Sequence, residues 1–547
     1  MTLRRTLALL LMLLLTLVPL SSALAEGDDT DQQVTIQIGG NTPEDQRTQE
    51  EDVGNVTFVT DGGEAAVQVD VRVSGQGTIR AEDVSSTATV WYNALAVQVD
   101  AQGQEARAIV EAGDISAVAE QETATGVQMT AIGEGAEASV TVKTVSSTAE
   151  RAEAGGVYIY AENGGQAQVQ VTGEGGIVAR GEWADGLYAE IRGVDTQAQV
   201  EVAGDIVAVT EYDPEGVRLF VVEGGQGEFT CGGDVSAQGP GALGIFAGAV
   251  GLGAPTEITM AVAGDVSAQG ERATGAVLYT DSQSDAVSLT VGGDLAGDAT
   301  GLDVSVSGGV VDILVEGTIS GGDQAILVSG AGADEGLTLT AWKVEGETLV
   351  KAQNGADAEP IQNGIQYIIK TEQPEQGGVF ALNGVRSYLD FSVAHAGDTV
   401  TLLPELSEGY TLLGAYNNGA SLLQNEEGSY YLVVPAGGGV LLSIELGEYP
   451  PLNVPPQPPV RVTGTAATAD GGASVVFCSN QVLHMMAGEE NIRGYFYSYE
   501  ARLCFRIGSE DAAYTEHEDG SGTLTAGGFT FELSPALVLA LKVECYS

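Results

Sequence analysis

The chain has 547 residues, 44% of them hydrophobic, enough to build several packed domains. Its 76 Asp and Glu against 21 Lys and Arg give a formal charge of −55, which argues against nucleic-acid partners and disfavours anionic membranes and polyanionic glycans such as pectin. The 76 Gly follow no three-residue period, so the chain is not collagen-like, and the wealth of Val, Ile and Thr points to an all-β protein.

Residues 1–25 have the anatomy of a secretory signal peptide. Arg4 and Arg5 precede an apolar run from Leu7 to Leu20, and Ser21-Ser22-Ala23-Leu24-Ala25 supplies the small residues for cleavage after Ala25. The expectation is therefore a secreted or cell-surface protein with a bacterial, Gram-positive type of export signal. No later segment approaches 18 uninterrupted apolar residues, so no integral membrane segment is expected after cleavage. Residues 26–52, acidic and polar, read as a flexible tail.

Residues 53–332 repeat. Gly233-Asp234-Val235-Ser236-Ala237-Gln238-Gly239 recurs unchanged as Gly264-Asp265-Val266-Ser267-Ala268-Gln269-Gly270, 31 residues on. Looser copies stand at Gly113-Asp114, Gly204-Asp205 and Gly293-Asp294, and Gly317-Thr318 closes the series after a shorter step of 24. A fixed period in this range marks a repeat architecture. Each unit reads as three short strands: an alternating one such as Ala198-Gln199-Val200-Glu201-Val202, a stub after a Gly-Asp corner such as Ile206-Val207-Ala208, and a third that opens on Gly, as in Gly126-Val127-Gln128-Met129 or Gly216-Val217-Arg218-Leu219. Such strands bury their apolar face only by stacking on the next coil. The fold expected is an all-β parallel β-helix, a solenoid of about eight to ten coils and about 40–50 Å long, followed by small β-sandwich-like domains.

The alternating strand, the Gly-Asp corner and the period resemble the parallel β-helix of bacterial extracellular adhesins and autotransporter passengers. The resemblance covers about half of the chain, and implies an architecture rather than a ligand. The remainder lacks enough alternating segments for the autotransporter's membrane barrel.

After a connector, 333–360, residues 361–447 carry a strand around Gly397-Asp398-Thr399-Val400, a second around Gly409-Tyr410-Thr411-Leu412, and a last apolar strand, Tyr430-Tyr431-Leu432-Val433-Val434. In that order they resemble the internalin-type B-repeat module of Gram-positive surface proteins, which implies an extracellular spacer or interaction role. Residues 448–460, with six Pro, are a stiff linker. Residues 461–547 read as a small β-rich domain ending near Ala536 to Val543. Cys231 lies alone in the repeats, and a disulfide among Cys478, Cys504 and Cys545, which fall in this domain, would leave one of the three thiols over.

Chemistry-bearing patterns are sparse. His395, His484 and His517 have no metal-ligand spacing. Gly239-Pro240-Gly241-Ala242-Leu243-Gly244 has the letters of a dinucleotide fingerprint without a following helix pattern. Carboxylates are too common to signal a glycosidase pair, and basic residues are too few for a uronate lyase. The chain therefore reads as an adhesin-like interaction or structural protein rather than an enzyme, the alternative being a β-helix polysaccharide lyase or glycosidase. The expected partner is an extracellular protein or glycan, with no nucleic acid. No catalytic or cofactor residue is assigned. The one candidate metal site is the edge formed by Asp205, Asp234, Asp265 and Asp294, where stacked corners bring carboxylates together; calcium is its candidate ion, and turn formation is the competing role. Outward Tyr158, Tyr188 and Tyr279 suggest a strip for stacking on sugars, against the commoner reading as isolated surface aromatics.

Overall fold

The structure is a computed structural model and describes residues 33–448 and 462–546, apart from short stretches at 40, 44–45, 61–63, 89–91, 426–428, 470, 479–480, 488–489, 500–501 and 509. The expected signal peptide and nearly all of the Pro-rich linker lie outside the described residues.

The described residues up to Glu448 form one compact unit, and those from Val462 onward a second. The first unit contains a parallel β-solenoid of about eleven turns. Each typical coil has the three strands expected, for example Ala124–Ile132, Glu137–Val142 and Thr144–Ala149. The Gly-opening strands stack into a twelve-stranded sheet, called the front sheet below. Register is kept from coil to coil. Val97, Val127, Val157, Leu187, Val217, Ile245, Ala276, Leu302, Ile326 and Val350 are successive partners and form one inward column. A slip of one residue would turn every such side chain to solvent, so the alternation itself fixes the register. The shared core cluster runs unbroken from Val34 to Ile444.

The solenoid is longer than expected at both ends. The segment 26–52 is not wholly a tail: Val34–Ile38 pairs in parallel with Ala65–Val71, and Thr48–Asp52 with Gly75–Arg80. Val34, Ile36 and Ile38 alternate and are buried, a short pattern masked by the surrounding acids. The exposed acidic strand Thr48–Asp52 is held by Arg80, whose guanidinium lies 3.5 Å from Glu50 and from Asp52 and 3.0 Å from Glu111. At the other end, the expected connector 333–360 contains two more solenoid strands, Leu337–Glu345 and Thr348–Gln353. The period is lost there because the second and third strands of the preceding coil merge into Val310–Gly321, shortening the repeat.

The strand Gln366–Glu372 joins the solenoid to the module that follows. Its start continues the stack on Thr340 and Ala341 along one edge and pairs antiparallel with Phe391–His395 along the other, and its end pairs with Val440–Glu448. Buried Tyr367 accepts the Gly437 N–H at 3.1 Å, Trp342 donates to the Val440 carbonyl at 3.1 Å, and Tyr388 donates to Asp312 at 3.1 Å. The module thus caps the end of the solenoid, covering backbone groups that would otherwise be an open edge.

The second unit is an antiparallel meander of eight strands in sequence order, from Val462–Ala467 to Phe529–Leu533, barrel-like rather than a sandwich. Phe477, Phe496, Phe505 and Phe531 fill it. Its last segment, in a domain expected to be β-rich to its end near Ala536 to Val543, is a helix, Pro535–Tyr546. The six apolar residues in a row, Ala536 to Leu541, fit either state, and the deciding signal is Ser534-Pro535: the Ser534 hydroxyl accepts the Leu537 N–H at 3.3 Å, and Pro is well placed in a first helical turn.

Candidate interaction face

The candidate edge Asp205, Asp234, Asp265 and Asp294 does stack, one exposed carboxylate per coil. Its oxygens are engaged by the backbone. Asp205 Oδ1 accepts the Asp234 N–H at 2.9 Å, Asp234 Oδ1 that of Asp265 at 2.8 Å, Asp265 Oδ1 that of Asp294 at 2.7 Å, and Asp294 Oδ1 that of Thr318 at 2.7 Å. The partner glycines follow from this contact. A Cβ on Gly233, Gly264 or Gly293 would lie about 2 Å from the carboxylate of the coil before. The Gly-Asp corner is therefore an inter-coil bond between a side chain and a main chain, which is stronger with a charged acceptor than with a neutral one. Among the described residues no group of three or more His, Cys, Asp or Glu is arranged to hold a metal ion. Cys231, nearby, is buried and donates to the Gly204 carbonyl at 3.2 Å; burial first, then the charges of Asp205 and Asp234, push its thiol up to about 11, away from reactivity.

The outer face of the front sheet is different in kind. The residue two after the opening Gly, or after Ala96 in the first of these strands, forms an outward column: Gln98, Gln128, Tyr158, Tyr188, Arg218, Phe246 and Val277. A second column two residues further carries Tyr160, Glu190, Phe220, Gly248 and Tyr279. The structure thus brings Tyr158 and Tyr188 together, with ring centroids 5.7 Å apart, and places Tyr279 on the neighbouring column. The Arg218 guanidinium lies 4.5 Å from the Phe246 ring centroid and 5.9 Å from that of Tyr188, within cation–π range.

Carboxylates border this column. Asp185 and Glu215 are register partners at the start of their strands and only 6% and 7% exposed. Glu215 Oε1 accepts from Arg218 Nη1 at 2.8 Å, whereas Glu215 Oε2 and Arg218 Nε are buried without a hydrogen-bond partner. The Tyr158 hydroxyl reaches both Glu153, at 2.5 Å, and Asp185, at 3.3 Å. Burial and these two charges drive its proton affinity well up, so it stays a donor. Gly155 makes room for this posture, since a Cβ there would sit 1.8 Å from the Tyr158 ring. Where the next strand begins, Trp183 and Tyr212 pair at 5.9 Å and are 41% and 50% exposed.

Further towards the N-terminal coils the same face holds Asp70 and Asp100, stacked in register. Arg72 clasps Asp70 at 3.0–3.1 Å, and Gln98 donates to Asp100 at 2.7 Å. Burial, helped by the Asp70 charge and opposed by bonds from Thr130 and Gln98, pushes the Asp100 carboxyl up to about 6. An open groove also follows the corner between second and third strands, floored by Ala203, Gly232, Ala263 and Gly292.

Of the residues singled out from sequence, the four Asp belong to the corner row and two of the three Tyr to the ladder. Arg218, Phe246, Asp185 and Glu215 were missed. The signal was present: counting two residues on from each opening Gly lines up the ladder. The Gly239–Gly244 run leads into the strand Leu243–Val250 rather than a helix. Comparison with protein-family models, with curated proteins and with solved structures gives no match.

Proposed function

We propose that this chain is an exported, adhesin-like display protein, secreted or held at the surface of a Gram-positive-type bacterium, in which the solenoid is the scaffold and the front face its presenting surface. The observation that carries the reading is the crowding of Tyr158, Tyr160, Tyr188, Phe220, Phe246 and Tyr279 with Arg218, Asp185 and Glu215 on a few adjacent coils of one face. The same columns carry Gln98, Gln128 and Thr130 on one side of this patch and Asp303, Ser305 and Leu327 on the other. Aromatic and Arg side chains gathered on a rigid surface are the composition of binding hot spots. The capping module, in its likeness to internalin-type B-repeats, fits a surface location, as does the signal-peptide-like start.

Fractionation of cells expressing the tagged chain tests the reading. The mature protein should begin at Glu26 and be found in the medium or the wall fraction. A cytosolic chain retaining Met1 overturns it. Turnover of a neutral polysaccharide by the full chain would replace it with the enzyme alternative.

A further inference from the structure

We propose that the front-face ladder binds arginine side chains of an extended basic segment on a partner protein. The inference rests on the reading of this face as the presenting surface and names the chemistry it accepts. The ladder already contains an image of its ligand. Arg218 lies against Phe246 and Tyr188 while its Nη1 bonds Glu215 Oε1 at 2.8 Å, so ring and carboxylate together define a guanidinium seat. The ring-and-carboxylate pattern repeats along the axis. Glu153 and Asp185 flank Tyr158 just as Glu215 flanks Arg218, yet the register positions of Arg218 one and two coils back are Tyr188 and Tyr158.

Two further details favour an added cation. Glu215, 7% exposed, keeps Oε2 buried without a partner, a costly state that favours a turn of the side chain towards a donor arriving at the surface. At Tyr158 a single hydroxyl proton is shared between two carboxylates, so an arriving cation relieves like-charge repulsion as well as adding bonds. Coils repeat at roughly 4.8 Å, so seats along the axis suit an extended strand of peptide better than a compact one. The formal charge of −55 draws such a segment in from solution. Planar guanidinium groups, which stack on rings and fork onto carboxylates, are favoured over ammonium groups.

The test is titration calorimetry of the full chain with a synthetic Arg-Ser repeat peptide at about 0.15 M salt, where long-range attraction is largely screened. Glu215→Gln and Tyr188→Ala should each weaken binding by about tenfold, and a Lys-Ser peptide should bind more weakly than Arg-Ser. Glu201→Gln and Glu228→Gln remove the same charge from the outer face of the second strands and should leave affinity unchanged. Asp185→Asn repeats the test with a near-isosteric change if Tyr188→Ala fails to fold. Equal loss from all carboxylate variants, meaning attraction by bulk charge alone, overturns the proposal. So does an absence of peptide binding, or binding of a neutral polysaccharide in its place at the same residues. None of these outcomes affects where the protein is found in the fractionated cell, so the display reading is judged separately.

Discussion

The Asp234 carboxylate accepts the main-chain N–H of Asp265, 31 residues later, at 2.8 Å, and leaves no room for a Cβ on Gly264. Gly264→Ala should therefore destabilise the solenoid by about 2 kcal/mol or more, through forced displacement of a packed neighbour. Asp234→Ala should cost about 1 kcal/mol. The double variant should cost less than the sum, because the two changes act on one contact. Thermal melts read all three, and strict additivity would show that the contact is not what couples the residues. Millimolar calcium should leave the melting temperature unchanged, since the carboxylates serve the backbone; a rise would restore the cation-binding edge.

Asp100 gives the solenoid a pH signature. Its carboxyl is pushed up to about 6 in the fold, against about 3.9 in an unfolded chain, so folding favours its protonated form. That contribution is complete below about pH 4 and is lost as pH rises through about 6, amounting to at most about 3 kcal/mol. Asp100→Asn should be the more stable protein at neutral pH, with the gap closing towards pH 4. Paired melts across this range measure it; a gap that does not vary with pH counts against the assignment.

The cap depends on one buried hydroxyl. Tyr367→Phe keeps the packing but leaves the buried Gly437 N–H without its acceptor, at a cost of about 1–3 kcal/mol. Hydrogen exchange at Gly437 should accelerate markedly in the variant. Unchanged protection would mean that the cap is held by its apolar contacts alone.

Gly155→Ala addresses the ladder directly. The new methyl would occupy the position of the Tyr158 ring, breaking its contacts with Glu153 and Asp185. Near-ultraviolet circular dichroism from the stacked tyrosines should fall, and stability should drop by about 1–3 kcal/mol. Tyr158→Phe, which keeps the ring and loses the hydroxyl, should retain most of that signal.

Much of this architecture was legible in the residues. The repeated Gly-Asp step set the period, and the alternation of segments such as Ala198 to Val202 set which side faces inward. What escaped were features whose meaning depends on neighbouring coils. Val34, Ile36 and Ile38 gain significance only once Val67, Val69 and Val71 lie over them. The merged strand Val310–Gly321 broke the count, so the last coils looked like linker. The ladder was split for a similar reason: Tyr158 and Tyr279 sit on adjacent columns that a linear reading does not separate, and Arg218 draws attention only beside Phe246. The helix at Pro535–Tyr546 was lost because an apolar run without polar spacing has no period to read.

The corner bonds all point the same way, each carboxylate reaching towards the following coil. A copied coil would therefore slot into the row with a donor and an acceptor already matched, and the capping module would not need to change. Duplication or loss of one such unit is an inexpensive route by which a lineage lengthens or shortens the protein, and the seven residues shared by 233–239 and 264–270 are what a recent copying event would leave behind.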